Sequence, residues 1–155
     1  MKTQNQLSPA DLEYIRLSLL HLGAAKWTKS AIRLKMAIEY ALSHDTLLDV
    51  TVGDMYEAIA EQEGCNYRAM ERSLRYAISN LWMCDPRFCS KLFFDSSEVL
   101  LCPSVSDFLY QYKAAFEQGC IKEFVDLCQE QNKVWDEQSR IGVENLLDDM
   151  AKIKI

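Results

Sequence analysis

Turn-forming residues are rare in this chain, and their scarcity restricts what it can fold into. Its 155 residues include five glycines and three prolines. The segment Ser8–Asp11 combines a capping serine, a proline at the first helical position and the acidic partner of a capping box. Gly23 and Gly64 each end a stretch with helical periodicity. The pattern predicts an all-α protein with one properly cored domain.

Apolar residues recur at spacings of three and four along most of the chain. The predicted helices cover residues 9–22, 28–43, 52–63, 66–83, 104–118 and 121–150. A short turn or helix is expected from Asp85 to Phe93, followed by an irregular apolar stretch over 94–101.

The second predicted helix has an apolar face and a basic face. Its expected core residues are Ile32, Met36, Ala37 and Tyr40. Its expected solvent-facing residues are Lys29, Arg33 and Lys35. This side of the helix therefore offers cations to a negatively charged partner.

The cysteines and histidines do not have the spacing of a metal site. The six cysteines include no C-x-x-C pair, and both histidines are distant from them in sequence. Reduced and mostly buried thiols in a cytoplasmic protein are the expectation. There is no signal-peptide pattern, membrane span, nucleophile–base pair or phosphate-binding glycine loop. We therefore expect no enzyme activity, cofactor, metal or membrane partner.

The net charge of −6 is unevenly distributed. Residues 1–116 carry twelve basic and fourteen acidic side chains, whereas residues 117–155 carry five and nine. Most of the acidity is therefore in the tail. A local basic face can still contact phosphates, although the total charge predicts weak and salt-sensitive non-specific binding.

Residues 56–82 have the spacing of a helix-turn-helix. Ala60 allows close helix approach, Gly64 suits the turn, and Met70 follows six residues later. In the helix over 66–83, one side carries Met70, Leu74, Ala77, Ile78 and Leu81. The opposite side carries Arg68, Arg72, Arg75 and Ser79, flanked by Glu71 and Tyr76. Such a helix can read a major groove, but its i,i+3 and i,i+4 charge pairs are also common on ordinary surface helices.

The segment 70–82, MERSLRYAISNLW, resembles the recognition helix of the C-terminal effector domain of the stage 0 sporulation regulator family, V-E-R-A-I-R-H-A-I-x-x-A-W. Met55-Tyr56 with Ile59-Ala60 resembles the family's L-Y-P-x-I-A, and residues 103–108 resemble its P-T-N-S-E-F. The likeness spans about residues 10–116 in the same order. It departs at Tyr76, where the family has histidine, and at Ala69, where it has arginine.

The resemblance implies a six-helix effector domain that binds short promoter boxes in double-stranded DNA and pairs head-to-tail. By matching position, Glu71, Arg72 and Arg75 are candidate base contacts, with Arg68 and Tyr76 beside them. Charge and expected proximity add three candidate phosphate contacts: Lys26, Lys29 and Arg33. About ten residues precede the first helix, so the chain is expected to act without the family's receiver domain.

We expect two regions, an effector-like domain over 1–116 and an acidic amphipathic extension over 117–155. Ile121, Phe124, Val125 and Cys128 form an apolar stripe that either folds back on the domain or pairs with a second copy. The pairing alternative predicts a homodimer. A different function also remains open, a protein-interaction module that kept the fold and lost DNA binding.

Overall fold

The computed structural model describes residues 6–24, 28–44 and 52–132. Six helices are α1 (Pro9–His21), α2 (Lys29–Ser43), α3 (Val52–Glu63), α4 (Tyr67–Cys84), α5 (Pro86–Phe94) and α6 (Val105–Glu117). Residues 120–132 are also helical, and we call them α7. These ranges contain no strand, which confirms the all-α prediction. No helix within them is long and apolar enough to cross a membrane.

Side-chain caps begin the helices where the sequence predicted them. The Ser8 hydroxyl accepts from the Asp11 N–H at 3.1 Å, and the Asp11 carboxylate accepts from the Ser8 N–H at 3.2 Å. This reciprocal pair is the predicted capping box of α1. At α6, the Ser104 hydroxyl likewise accepts from the Asp107 N–H at 3.2 Å. Local sequence therefore sets these helix starts.

The three-residue turn between α3 and α4 closes with backbone hydrogen bonds. Cys65 N–H donates to the Ala60 carbonyl at 3.0 Å, and Gly64 N–H donates to the Glu61 carbonyl at 3.3 Å. This pattern is a Schellman motif, in which Gly64 takes the left-handed conformation at φ +65°. Asn66 then caps α4 by accepting from an amide of its first turn. The turn residues thus fix both where α3 stops and where α4 starts.

The core is built around α2 and α4, which pack on each other. α2 also contacts α1, α3 and α6, while α4 also contacts α3, α5 and α6. The largest fully buried side chains are Tyr112, Phe108, Ile15, Leu19, Leu34, Ile38, Met55, Met70, Leu74, Ile78, Leu109 and Ile121. The buried hydroxyls of Ser18 and Tyr112 satisfy each other at 2.7 Å. Both central helices are therefore held from several sides.

Gly23 lies where the end of α1 meets the end of α4. Its φ is +125°, and a Cβ placed there would lie 2.6 Å from the Cys84 sulfur. A side chain at this position would be strained and would also clash. The glycine that stops α1 in the sequence therefore also permits a close tertiary contact.

The predicted core face of α2 is confirmed for Ala37, which is buried, and for Met36 and Tyr40, which pack partly buried against the core, but it was wrong for Ile32. Ile32 is 42% exposed, whereas Leu34, Ala37, Ile38 and Ala41 are buried. The predicted and the observed core residues both have helical spacing, because α2 is apolar around more than half of its circumference. Periodicity alone could not choose between them, since the contacts of α2 with four other helices decide which side faces inward.

The segment between α5 and α6 is irregular, as predicted, and is anchored to the core at Leu100. The Trp82 indole N–H donates to the Leu100 carbonyl at 2.9 Å. The Leu100 N–H donates to the Ser90 hydroxyl at 2.9 Å. Trp82 is buried and lies against Phe93 and Phe94, so it closes the core at the end of α4.

The first part of the predicted extension packs on the bundle. Ile121 and Val125 are buried, and Phe124 contacts the core cluster. Lys122 lies 3.1 Å from the Asp11 carboxylate of α1. The apolar stripe that starts at Ile121 therefore folds back on the bundle, and the rest of the predicted extension, residues 133–155, lies outside the described residues.

The prediction that most cysteines are buried was wrong. Cys89 is buried, Cys84 and Cys102 are exposed, and the other three are intermediate. Burial raises the pKa of the Cys89 thiol to about 12, so this thiol stays protonated. All six are free, and the described residues contain no cluster of three or more His, Cys, Asp or Glu side chains that could hold a metal.

Candidate nucleic-acid interface

α4 has one face in the core and the opposite face in solvent. Its buried residues are Met70, Leu74, Ala77, Ile78, Leu81 and Trp82. Arg68, Arg72 and Arg75 are all exposed on the other side, as the sequence predicted. The helix is capped at its start by Asn66 and tied at its end by Trp82. These arginines therefore project into solvent from a helix that is anchored at both ends.

The three arginines differ in their electrostatic partners. Arg75 makes an i,i+4 ion pair with Glu71 on the same helix, and its side chain remains 68% exposed. Arg68 and Arg72 make no ion pair with any described residue. An exposed pair of this kind contributes only about 0.3–0.5 kcal/mol to helix stability. Two guanidinium groups are thus open to a ligand, and the third is held by a weak pair that a ligand could replace.

Tyrosines flank the arginine face. Tyr76 is 60% exposed, and Tyr67 at the start of α4 is 41% exposed. The Tyr67 ring meets the Tyr56 ring of α3 edge-on, with centroids 5.1 Å apart. Tyr56 is itself buried, and burial together with the Glu71 carboxylate raises its pKa to about 12. Tyr56 therefore stays a neutral hydroxyl beside the basic face.

A groove runs along one edge of this face, between α4 and the start of α6, and we call it the α4–α6 groove. Its volume is about 660 Å³. It is lined by Tyr56, Tyr67, Glu71, Arg75, Tyr76, Ser79, Cys102, Pro103, Ser104, Val105 and Ser106. The groove brings together residues from α3, α4 and the segment leading into α6, so the arginine face continues into a concave surface.

Arg33 does not face solvent, so its assignment as a phosphate contact is corrected. The residue is 9% exposed. Its Nη1 donates to the Ser73 hydroxyl at 2.7 Å, and its Nε lies 3.5 Å from a carboxylate oxygen of Glu63. Arg33 therefore links α2 to the end of α3 and to the side of α4. A guanidinium held in this way stabilises the α3–α4 arrangement and is not accessible to DNA.

The remaining two candidate phosphate contacts have different outcomes. Lys29 is exposed in the first turn of α2, as expected. Lys26 lies outside the described residues. The structure therefore leaves Lys29 as the accessible candidate on α2.

Sequence reasoning missed Tyr56 and the start of α6 as neighbours of the arginine face. About thirty residues separate Arg75 from Ser104 along the chain. The capping pattern predicted where α6 begins but carried no information about what lies beside it. Only the packing of α6 against α4 brings its first turn to the groove.

Comparisons with protein-family models, with curated proteins and with solved structures gave no match to this chain. The likeness to the sporulation effector domain therefore rests on the quoted residues alone.

Proposed function

We propose that this protein binds double-stranded DNA, with α3 and α4 acting as a helix-turn-helix and α4 entering the major groove. One observation carries the proposal: an exposed arginine face on a helix whose opposite face is buried in the core. A major groove admits one α-helix, and arginine pairs bidentately with guanine O6 and N7. The helix is capped by Asn66 and anchored by Trp82, so it need not be ordered on binding.

The spacing of the arginines suits contacts along several base pairs. Arg68, Arg72 and Arg75 lie on one side of α4, and seven residues span roughly 10 Å at about 1.5 Å per residue. This length corresponds to about three base pairs at roughly 3.4 Å each. We assign base reading to Arg72 and its neighbours and a phosphate contact to Lys29. Glu71 is placed to accept from cytosine N4 if Arg75 turns to the DNA.

The resemblance adds a more specific proposal, a transcription regulator of the sporulation type that binds short promoter boxes. The resemblance also implies head-to-tail pairing on tandem sites. We propose that this protein also works as a homodimer.

Because Ile121 and Val125 are buried, truncation after Phe116 would expose core residues. Truncation after Asn132 keeps these residues in place, so this is the variant to compare with the intact chain by light scattering, which measures whether each is a dimer.

In that measurement, a dimeric intact chain and a monomeric truncation would support pairing through residues 133–155. A monomeric intact chain at tens of micromolar would contradict the homodimer. A truncation that remains dimeric would move the interface to the described bundle.

The test of DNA binding is selection from a random duplex library, followed by affinity measurements on the selected and a shuffled duplex. Both measurements use low and moderate salt, because phosphate contacts weaken as salt rises. We expect one enriched sequence and a preference that persists at moderate salt. Equal affinity for selected and shuffled duplexes would contradict sequence-specific recognition.

A protein-interaction module is the second candidate. The Glu71–Arg75 pair and the exposed Tyr67 and Tyr76 favour it, because arginine and tyrosine are enriched among residues that dominate protein interfaces. The net charge of −6 also disfavours DNA. Absence of binding to any duplex at low salt would select this candidate, since electrostatic binding is strongest there.

A further inference from the structure

A cavity lies between the end of α1, the start of α2 and the second half of α4, and we call it the α1–α2–α4 cavity. Its volume is about 310 Å³. Its floor is formed by buried side chains of the core, Leu19, Ala31, Leu34, Ala77 and Leu81. Protein interiors are close-packed, so spaces larger than a water molecule are few. A cavity of this volume with an apolar floor has instead the size of a small-molecule site, which begins at about 300 Å³.

Short side chains keep the cavity open. Where the three helices converge, Gly23, Ala24, Ala31 and Ala77 carry at most a methyl group. Gly23 cannot be replaced by a larger residue without strain, because its φ is +125° and a Cβ there would lie 2.6 Å from the Cys84 sulfur. The backbone of Gly23 is therefore fixed against α4, and with it the wall of the cavity that follows α1.

The polar groups of the cavity lie at its mouth. Asn80 is exposed, and its side-chain amide makes no hydrogen bond with any described residue. Thr28 is also exposed, and its hydroxyl accepts from the Ala31 N–H at 3.2 Å. The described residues that line the cavity include no charged side chain and no histidine. A charged ligand would lose hydration without gaining a partner here, so the lining suits a neutral molecule.

We propose that the α1–α2–α4 cavity binds a neutral small molecule, with an apolar body on the floor and one hydrogen-bonding group at Asn80 and Thr28. An apolar pocket with a few polar groups that fix orientation is the usual form of such a site. The cavity shares no residue with the arginine face, so the ligand and a duplex can be bound together.

The consequence of binding rests on the proposed function. Ala77 and Leu81 belong to the buried face of α4, opposite the arginine face. Thr28 directly precedes Lys29, the candidate phosphate contact of α2. A ligand that touches both helices favours one arrangement of α2 against α4, and it thereby changes the affinity for DNA. The site is then an effector site of the regulator.

The first measurement uses two probes that differ by one hydroxyl, toluene and benzyl alcohol, and needs no DNA. Backbone amide resonances of Gly23, Ala24 and Ala77 should shift on titration with either probe. Asn80→Ala should weaken benzyl alcohol by about fivefold, the worth of one hydrogen bond, and leave toluene nearly unchanged. Ser79→Ala is the control, because Ser79 is the neighbouring residue of α4 and lines the α4–α6 groove instead.

A cavity-filling variant checks the location. Ala31→Leu should abolish the shifts with both probes, whereas Ala114→Leu, the same change on α6 away from the cavity, should preserve them. Absence of shifts in the unmodified protein, or shifts that persist in Ala31→Leu, would overturn the site. Trp27 precedes Thr28 in the sequence and lies outside the described residues. Probes that bind only after Trp27→Ala would also overturn the site, because the cavity would then belong to a side chain of this protein.

The second measurement adds benzyl alcohol at saturation to the selected and shuffled duplexes. The affinity of the unmodified protein should change by about fivefold or more, the usual range of coupling between two sites, and that of Ala31→Leu should not change. An unchanged affinity in both proteins would overturn the effector role. If the unmodified protein binds no duplex, the proposed function fails, and amide shifts that Ala31→Leu abolishes would still support the ligand site.

Discussion

α4 carries three arginines at helical spacing and α2 carries one, and the two helices use them in opposite ways. On α4, Arg68 and Arg72 project into solvent and pair with no described residue. On α2, Arg33 is buried between Ser73 and Glu63. The two helices pack on each other, so the buried Arg33 of α2 supports α4, the helix on which the other arginines are exposed. Basic residues on a helix therefore do not mark a binding face until the packing of that helix is known.

Replacement of the buried arginine should have the largest effect on stability. Arg33→Ala removes the stem packed between three helices and leaves the Ser73 hydroxyl without its partner. We expect the free energy of unfolding to fall by about 2–3 kcal/mol in denaturant titrations. The matched change on the exposed face, Arg68→Ala, should alter it by less than about 0.5 kcal/mol. A similar loss of unfolding free energy in both variants would contradict the distinction between a structural arginine on α2 and exposed arginines on α4.

Replacement of a displayed arginine should instead affect DNA binding. Arg72→Ala should cost about 1–3 kcal/mol on the selected duplex, the worth of a bidentate guanine contact, and much less on a shuffled duplex. Arg87→Ala on α5 removes the same charge from another exposed helix and serves as the control. Equal losses for Arg72→Ala on both duplexes would show that Arg72 does not read bases.

The exposed lysine of α2 tests whether that helix contributes to binding at all. Lys29→Ala should weaken the selected and shuffled duplexes alike, because a phosphate contact carries no sequence information. The slope of log affinity against log salt should decrease by about one. No change in the slope would confine the interface to α4 and its surroundings.

The smallest expected effect concerns the pair on α4 itself. Glu71→Gln removes the partner of Arg75 and should lower the free energy of unfolding by about 0.3–0.5 kcal/mol. Thermal melts at low and high salt would measure this, since screening should abolish the difference. A loss above about 1 kcal/mol would mean that Glu71 has a structural role beyond this pair.

The helices and the two faces of α4 follow from interactions between residues that are close in sequence. Caps such as Ser8 and Asn66, and the stop at Gly64, act through hydrogen bonds within a few residues, so the letters alone predict them. The faces of α4 were also predictable, because its apolar and basic residues alternate cleanly at about 100° per residue.

Packing between helices settles what the local patterns leave open. α2 is apolar around much of its circumference, so the helices packed on it determined that Arg33 turns inward and Ile32 outward. The α4–α6 groove likewise joins Tyr56, Arg75 and Ser106, which are distant in sequence. Their meeting depends on long-range packing, which no periodicity within one helix encodes. Interactions between residues close in sequence thus determine where helices begin and which residues lie on the same side of a helix. Packing of the helices in the common core determines which of these sides remains exposed to a ligand.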